Sequence, residues 1–538
     1  MKISPRLFSA APALILALLA GCSSTPPQTP STQPTQQTQP TPSSITSPAP
    51  DQPAFAKLRI ESDSKTPRPP FRFSREDEKL LDDIQRGAFN FLWSAGDPAK
   101  PGHATGMVPD RTSKPTVSVA GVGFQLSAMC VAVERKWITR DQGRERAELI
   151  LTALAQNPEN KKAGLFYHFI DADTAGQPGE AYEHVVSTID SGLLFAGVLT
   201  ASQYFGGEVQ RLGNELFTNA NWRFFIAGHI ESDPTIEGFV SLGWKPNLQS
   251  VPTGEGALLP YGWVDSGDEH KLIAFLGACA PAKDHRLDPA LYYRLRRQLG
   301  THDGQLIAWF PWSGAHFVNF FAHCWIPYAH LGLDDPTALN IHNRSRVDWW
   351  ENSRRMTRMH RDKAIANPEK LPTLGANAWG LTASDIPKGY GVPGLFPAPA
   401  DMPGALPDRD YASVKHTIKD DYGDGTIAPY GAGCSIMFEP TLALDALRYY
   451  RTLEVPGAST PLWSDPASGG YGFQDAFNLG KNWVAPDCLA IDQGPLLLAI
   501  ENARTGFVWK TFSAHPYVKQ GMSRLKMNPK MDSRPATR

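Results

Sequence analysis

The chain has 538 residues, 41% of them hydrophobic and 10% aromatic, which is enough apolar material for a large core. Its 52 basic and 54 acidic side chains nearly balance, so charge does not favour a nucleic-acid partner. The six cysteines are widely spaced and form no C-x-x-C pair, and all but the first lie in mostly apolar contexts. Although export would permit disulfides, we predict buried thiols and no essential disulfide.

The N-terminus has the pattern of an export signal. Lys2 and Arg6 precede an apolar stretch that is too short to span a bilayer. The sequence Leu-Ala-Gly-Cys then ends at Cys22 and resembles the bacterial lipobox, in which the cysteine is lipidated. Residues 1–22 are therefore assigned to a lipoprotein signal peptide, although an ordinary signal peptide with a chance cysteine is the alternative. Ser23 implies sorting to the outer membrane, so we expect a lipid-anchored protein that faces the periplasm or the cell surface.

The rest of the chain divides by composition into three parts. Residues 23–70 are rich in Pro, Thr, Gln and Ser, and such a segment cannot bury enough surface to offset its ordering entropy. It predicts a disordered tether, whereas residues 71–524 have no low-complexity break and predict one catalytic domain. The polar and basic tail, residues 525–538, is expected to fray. We expect a monomer whose lipid anchor is its only membrane contact.

Apolar side chains recur at helical spacing throughout the predicted domain. Ser74 and Asp77 resemble a capping box before the first helix. Further helices are predicted over residues 117–133, 144–154, 187–199, 208–217, 271–276, 291–299, 317–329, 348–364, 441–453 and 495–504. A compact core usually stops growing at about 250–300 residues, and a ring of helix pairs escapes that limit. The pattern predicts an all-α (α/α)6 toroid with a loop-lined cleft; a two-domain helical protein is the alternative.

Acidic side chains lie among aromatic residues and glycines near the C-terminal end. This stretch contains Tyr471, Phe473, Asp475, Trp483 and Asp492. A carboxylate away from water costs free energy unless it is paired or used, and flat rings beside carboxylates suit the C–H faces and hydroxyls of a sugar. The combination predicts carbohydrate chemistry. The alternatives are an Asx-turn or helix cap for Asp475 and a helix start for Asp492.

Two further acids lie at predicted helix starts. Glu269 follows Trp263, and partial burial beside that ring would raise its pKa, as a general acid requires. The alternative is an acid stabilised by the helix macrodipole. Asp190 completes a possible capping box with Ser187. Three tryptophans could line sugar subsites or pack in the core, namely Trp244, Trp325 and Trp379.

Other chemistries find little support. The chain has no H-E-x-x-H, EF-hand loop, Walker A or G-x-S-x-G motif, so carboxylate chemistry is the main option and no cofactor is predicted. One predicted helix carries four arginines, which are typical of a solvated face but could bind an anionic substituent: Arg354, Arg355, Arg358 and Arg361.

Several blocks together resemble the glycoamylase-like domain, the catalytic module of glycoside hydrolase family 144. They are STID at 187–190, GWKP at 243–246, WWENSR at 349–354, WGLTASD at 379–385, DGTIAP at 424–429, YGFQDAFN at 471–478 and IDQGP at 491–495. The resemblance implies a toroid that cleaves β-1,2-linked glucan by inversion and without a metal. The family's acid falls on Glu269 and its aspartate on Asp475. Asp190, Trp379, Asp385 and Asp492 fall on blocks that line or brace the cleft.

The chain departs from the family pattern in three places. Asp268 precedes the acid, where the family usually has Asn; Trp325 is followed by Ile-Pro-Tyr instead of Ile-Asp-Phe; and Val185 stands where an acid is frequent, with Glu183 two positions earlier. Substrate length, linkage and endo- or exo-action therefore stay open. The leading interpretation is a β-glucan hydrolase. The alternatives are a non-catalytic glycan-binding lipoprotein and a polysaccharide lyase, which would need the arginine helix to face the cleft.

Overall fold

The computed structural model describes residues 58–179, 184–230, 234–246, 256–400 and 419–530. The predicted signal peptide, Cys22, Glu183, most of the predicted tether and residues 531–538 lie outside the described residues.

Helices account for most of the regular structure in these ranges, which confirms the all-α prediction. They are α1 (Arg75–Ser94), α2 (Val119–Glu134), α3 (Arg140–Gln156), α4 (Thr188–Phe205), α5 (Gly207–Asn219), α6 (Asp268–Cys279), α7 (Ala290–Arg294), α8 (Trp349–Ala366), α9 (Pro429–Cys434), α10 (Pro440–Thr452), α11 (Ala490–Thr505), α12 (Phe507–Ala514) and α13 (Pro516–Arg524). Ser74 caps α1 as predicted, because the Asp77 N–H donates to Ser74 Oγ at 3.1 Å, although the reciprocal bond of a full capping box is not formed.

Short strands occupy the connections between helices. They are β1 (Arg59–Ile60), β2 (Val117–Ser118), β3 (Lys161–Lys162), β4 (Leu165–Phe166), β5 (Phe169–Ile170), β6 (Val186–Ser187), β7 (Val240–Ser241), β8 (Gly243–Lys245), β9 (Ala257–Leu258), β10 (Gly262–Trp263), β11 (Gln298–His302), β12 (Gln305–Trp309), β13 (Arg346–Val347), β14 (Ser384–Ile386), β15 (Gly389–Gly391), β16 (Ala398–Pro399), β17 (Trp463–Ser464), β18 (Gly472–Phe473), β19 (Phe477–Asn478) and β20 (Trp483–Val484). Each described sheet has two or three strands.

Two predicted helices are wrong. Residues 295–299 leave α7 and enter the hairpin β11–β12, whose register pairs Gln298 with Trp309. The two-residue loop is Asp303-Gly304, both with positive φ, and this is a strong hairpin signal that helical spacing concealed. Residues 317–329 form successive 3₁₀ turns, and Pro327, which cannot donate a helical hydrogen bond, lies between the last two.

A closed ring of buried segments forms the centre of the described fold. Helices α2, α4, α6, α9 and α11 are almost wholly buried, together with the 3₁₀ turns of residues 316–324. Helix α2 packs on α4, α4 packs on α6, and α6 contacts the 3₁₀ turns. Helix α9 packs on α11, and α11 packs on α2. The ring closes between the turns and α9, where Phe320 meets Tyr430 with ring centroids 5.9 Å apart. The amphipathic helices α1, α3, α5 and α10 pack outside, in agreement with the predicted toroid.

Glycines set the closest approach within the ring. A Cβ added to Gly197 on α4 would lie 2.0 Å from the backbone oxygen of Gly123 on α2. A Cβ added to Gly123 would lie 2.1 Å from the backbone oxygen of Leu193. No larger residue fits at this contact between α2 and α4, which we call the glycine seam.

Residues 58–70 belong to the domain and not to the predicted tether. Strand β1 pairs in parallel with β13, and Ile60 is fully buried. Arg68 donates to the backbone oxygen of Ala329 at 3.0 Å, and it pairs with the carboxylate of Asp348, which caps α8. The contacts come from a few residues inside a polar stretch, so average composition hides them. The predicted tail is also partly folded, because Leu525 and Met527 are buried.

A chain that begins at Phe71 should therefore unfold several degrees below one that begins at Leu58. The shorter chain lacks buried Ile60, whose burial is worth about 1.5–3 kcal/mol. It also leaves Asp348 without Arg68, and removing one partner of a buried pair costs about 3–5 kcal/mol. Calorimetry of the two chains measures the difference. Equal unfolding temperatures would mean that residues 58–70 behave as a tether after all.

The cysteines within the described ranges agree with the predicted thiols. Five are free and buried, namely Cys130, Cys279, Cys324, Cys434 and Cys488. Burial raises the pKa of each thiol. Within the same ranges, no helix combines the length and the apolar character needed to cross a membrane.

Candidate active site

A cavity of about 200 Å³ lies where α4 and α6 begin. Its polar side chains include Asp190 and Glu269, near the N-terminal ends of those helices. The other lining residues come from the connections and are largely aromatic or apolar: Ser187, Ile189, Leu242, Trp263, Phe310, Trp312, Ser313, Gly314, Phe317, Val392, Gly394, Phe396 and Asp421.

Glu269 is the buried acid of this cavity. It is the second residue of α6, and only 6% of its surface is exposed. Burial, with further contributions from the charges of Asp190 and Asp268, raises its pKa to about 8. A helix N-terminus favours an ionised carboxylate, but desolvation is the larger effect here. Glu269 is therefore protonated at neutral pH, as a general acid must be.

The neighbouring acid Asp268 anchors the first turn of α6. Its Oδ1 lies 2.9 Å from Lys271 Nζ, and its Oδ2 accepts the Ala322 N–H at 3.0 Å. Lys271 is itself buried, with its ammonium 3.5 Å from the ring centroid of Trp349. Asp268 thus ties the helix that carries Glu269 to the adjacent 3₁₀ segment of the ring.

Asp190 serves as a helix-capping residue and also lines the cavity. Its N–H donates to Ser187 Oγ at 3.2 Å, and the Ser187 hydroxyl donates back to its carboxylate. The other carboxylate oxygen lies 3.5 Å from His168 Nε2. These contacts with Ser187 fix Asp190, so its charge is held where it can influence Glu269.

A second acidic group consists of Asp385, Asp475 and Asp492. Asp475 Oδ2 accepts the backbone N–H of Asp385 at 2.7 Å. Burial raises the pKa of all three carboxyls, that of Asp385 to about 7 and that of Asp492 well above its usual range. Ionisation of all three acids is unfavourable, because the site is buried and the three negative charges repel each other.

One proton shared between Asp475 and Asp492 satisfies the site. With both groups ionised, Asp475 Oδ1 and both Asp492 oxygens are buried and have no hydrogen-bond donor. Burial and the charge of Asp475 raise the pKa of Asp492 well above its usual range. A proton held on Asp492 can be donated to an ionised Asp475, which then serves as the base of the pair.

Arg111 supplies the positive charge of this acidic group. Its Nη1 lies 3.1 Å from Asp385 Oδ2 and 3.6 Å from Asp487 Oδ2, and its Nε lies 3.3 Å from Asp110 Oδ2. Arg111 was not among the site residues predicted from the sequence. The sequence feature that could have indicated it is the charged pair Asp110-Arg111, which lies shortly before a helix whose only charged residue is its last one.

Electrostatic interactions connect the cavity with the second acidic group. Burial raises the pKa of both Glu269 and Asp110, and the charge of Asp190 adds to the shift in each case; the Asp110 carboxylate contacts Arg111. All these residues lie in or just before the first turns of ring helices or in the connecting loops. Sequence-distant acids are therefore gathered at one end of the ring.

Three of the aromatic residues predicted for the site lie in the core instead. Trp325 is fully buried, and its Nε1–H donates to Ser127 Oγ at 2.9 Å. Trp379 is also fully buried, and Phe473 packs against Trp463 with ring centroids 4.8 Å apart. Large side chains fill the interior of the ring, so Trp325 and Trp379 follow the alternative interpretation of core packing, and Phe473 is a core residue as well.

The other three predicted aromatic residues are not among the residues that line the cavity. Trp244 on β8 is 8% exposed and Trp483 on β20 is half-buried. Tyr471 packs against Phe91 with ring centroids 5.5 Å apart. The aromatic lining comes instead from Trp263 and from the loop after β12, where Phe310 and Trp312 surround a proline.

The four arginines of α8 make structural contacts. Arg354 lies 2.8 Å from both Glu351 and Glu439, and Arg355 lies 2.8 Å from Glu351. Arg358 lies 2.5 Å from Glu439, and Arg361 donates to the backbone oxygen of Ala376 at 3.1 Å. These contacts hold α8 to its surroundings.

Residues 260–516 match the family model Glycoamylase, described as "Putative glucoamylase". This range contains Glu269, Asp385, Asp475 and Asp492. The chain is 27% identical over 485 residues to the exo beta-1,2-glucooligosaccharide sophorohydrolase (non-reducing end) of Parabacteroides distasonis. The match covers 84% of this chain and 58% of that relative, so the chain spans little more than half the relative's length.

Solved structures share the fold. A protein of Bacteroides uniformis with the same glucoamylase description has a TM-score of 0.66 at 27% identity, over 86% of this chain and 99% of that one. The endo-beta-1,2-glucanase of Chitinophaga pinensis, solved with sophorotriose and glucose, has a TM-score of 0.65 at 22% identity, over 84% and 98%. The motifs, the fold and the family match agree: residues 260–516 are similar to the glycoamylase family model, and the described fold is that of the solved structures.

Proposed function

We propose that the chain is a glycoside hydrolase that cleaves β-1,2-linked glucan, with Glu269 as its general acid. The observation that carries this proposal is a buried carboxyl whose pKa is about 8, in a cavity that Trp263 and Trp312 also line. Aromatic faces suit the C–H faces of sugars. The protonated carboxyl can donate to the glycosidic oxygen of the leaving group.

Asp475 takes the role of base in the proposed mechanism. Glu269 gives its proton to the leaving oxygen as the bond from that oxygen to the anomeric carbon breaks. A water oxygen bonds to the anomeric carbon from the opposite face and loses its proton to Asp475, directly or through a short relay. Inverting pairs of carboxyls are typically about 6.5–9.5 Å apart, against about 5–5.5 Å in retaining enzymes. A relay permits a wider gap.

The relatives support the linkage but leave the product length open. The curated relative is named as an exo-acting sophorohydrolase on β-1,2-glucooligosaccharides, and one structural neighbour as an endo-beta-1,2-glucanase. Both names specify the β-1,2 linkage, and they differ in the mode of cleavage. We therefore propose the linkage and leave the mode to experiment.

Neither alternative explains the site as well. A lyase must neutralise a uronate carboxylate, but the arginines of α8 are engaged with Glu351, Glu439 and backbone oxygens. A purely sugar-binding protein would need the aromatic lining but not an acid held protonated at neutral pH. Hydrolysis uses both features.

Incubation of the purified protein with linear and cyclic β-glucans of each linkage tests the proposal. We expect sophoro-oligosaccharides or sophorose from β-1,2-glucan, resolved by chain length, and much slower release from β-1,3- and β-1,4-glucans. Binding without hydrolysis of any glucan would support the glycan-binding alternative. Products with a terminal unsaturated uronate would support the lyase.

Activity should fall as pH rises through the pKa of Glu269, about 8. The acid is active in its protonated form, so the rate is maintained below that pKa and lost above it. Asp190→Asn removes a negative charge that raises this pKa, so the alkaline limb should move to lower pH. Profiles of kcat/KM from pH 5 to 10 measure both. An unshifted limb in this variant would contradict the role assigned to Asp190.

A further inference from the structure

Trp312 is an exposed aromatic residue on the lining of the cavity. Of its surface 53% is exposed, more than for the other exposed large hydrophobic residues of the described ranges. It follows Phe310 and Pro311 in the loop after β12. An exposed indole forgoes the free energy that burial of its apolar surface would give, and solvent contact alone does not account for its position.

The Trp312 ring is nevertheless held in place. Its Nε1–H donates to Asp265 Oδ2 at 2.8 Å, and Asp265 is 1% exposed. The other carboxylate oxygen of Asp265 accepts from Gln298 Nε2 at 3.2 Å, on the first residue of β11. A hydrogen bond to an ionised acceptor is stronger than one between neutral groups. The indole is thus oriented before any ligand arrives, which reduces the entropy lost on binding.

The residue that holds Trp312 lies in the same loop as the acid. Asp265 lies between Trp263 on β10 and Glu269 on α6. Trp263 also has its indole N–H engaged, donating to Thr188 Oγ1 at 2.8 Å. One short connection therefore fixes two tryptophans and the acid relative to each other.

Building on the proposed function, we propose that Trp312 is a sugar-stacking platform that Asp265 orients. It binds a glucosyl ring of the β-1,2-glucan at the cavity and so contributes to selection of substrate by chain length. The flat apolar face packs on the C–H face of the ring, while the proton donor Glu269 acts on the bond to be cleaved. Trp312 is a specificity-determining residue and takes no part in proton transfer.

Trp312→Ala should raise KM for β-1,2-glucooligosaccharides about tenfold, the factor that corresponds to about 1.4 kcal/mol. The alkaline limb of the pH profile should stay unchanged, because Glu269 is not altered. Trp312→Phe keeps a flat ring and loses the donor to Asp265, so we expect an intermediate KM. Phe224→Ala is the matched control, since Phe224 is 38% exposed and does not line the cavity; it should behave as the unsubstituted protein.

Calorimetric titration with β-1,2-glucooligosaccharides of increasing length tests the platform without turnover. The measurement compares Glu269→Gln with Glu269→Gln/Trp312→Ala, and the double variant should bind about tenfold more weakly once the ligand is long enough to reach the ring. Equal affinities at all lengths, or no binding to either protein, would overturn the platform. Equal KM values for Trp312→Phe and the unsubstituted protein would overturn the role of Asp265. If the unsubstituted protein hydrolyses none of the glucans but binding still depends on Trp312, the proposed hydrolase function is contradicted and the role of Trp312 in sugar binding is supported.

Discussion

Glu269→Gln should reduce hydrolysis of β-1,2-glucan about 10²–10⁴-fold. The amide preserves the size and shape of the buried side chain but cannot give a proton to the leaving oxygen. Sugar binding should be retained, because the aromatic lining is unchanged. Initial rates of the two purified proteins measure the loss.

A substrate with an activated leaving group separates loss of the acid from loss of structure. An aryl β-sophoroside with an acidic phenol needs little protonation, so the variant should recover much of its activity on that compound. The unfolding temperature of the variant should be unchanged or slightly higher than that of the unsubstituted protein above about pH 4.5. The raised pKa of Glu269 makes the unsubstituted protein lose stability as pH rises from about 4.5 to about 8, and the amide does not titrate. A variant that keeps most of its activity on the polymer would show that Glu269 is not the acid.

Asp475→Asn should cause a loss of similar size, about 10²–10⁴-fold, because the amide cannot accept the proton of the attacking water. Asp492→Asn is the matched control. Burial raises the pKa of Asp492 well above its usual range, so we assign the shared proton to Asp492. An Asn amide can also donate to Asp475, and this variant should therefore keep substantially more activity. Equal losses in the two variants would contradict the assignment of proton and base within the pair.

The anomer of the first product tests the same mechanism independently. Proton NMR during the first turnovers should show the anomer opposite to that of the cleaved bond. Initial release of the retained anomer would rule out the direct attack of water in which Asp475 is the base.

The sequence predicted the ring of helices because its inner members have a clear signature. Helices such as α4 and α11 are apolar on nearly all faces and carry an acid in their first turn, and both features are visible without a structure. The hairpin β11–β12 was missed because its apolar residues also fit a helical spacing. The Asp303-Gly304 turn was the stronger local signal.

The candidate site was only partly predictable, and the reason is physical. Glu269 and Asp475 stand in distinctive local contexts, so single stretches of sequence identify them. Arg111 and Trp312 matter because of partners far along the chain, Asp385 and Asp265, that only folding brings near. Trp325 and Trp379 show the converse error: tryptophan suits a sugar platform and a packed core equally well, and burial decides between them.

The glycine seam between α2 and α4 limits how this protein can adapt to other substrates. Backbone atoms of Gly123 and Gly197 leave no space for even one methyl group, so the spacing of these two helices, one of which carries Asp190, cannot be changed by enlarging side chains at the contact. The loops that supply Trp312 and Phe396 carry no such restriction at those two positions. Substitutions in the loops at the end of the ring can therefore change the length of glucan that the protein accepts, in evolution or by engineering. The helices meanwhile keep the spacing that positions the acids.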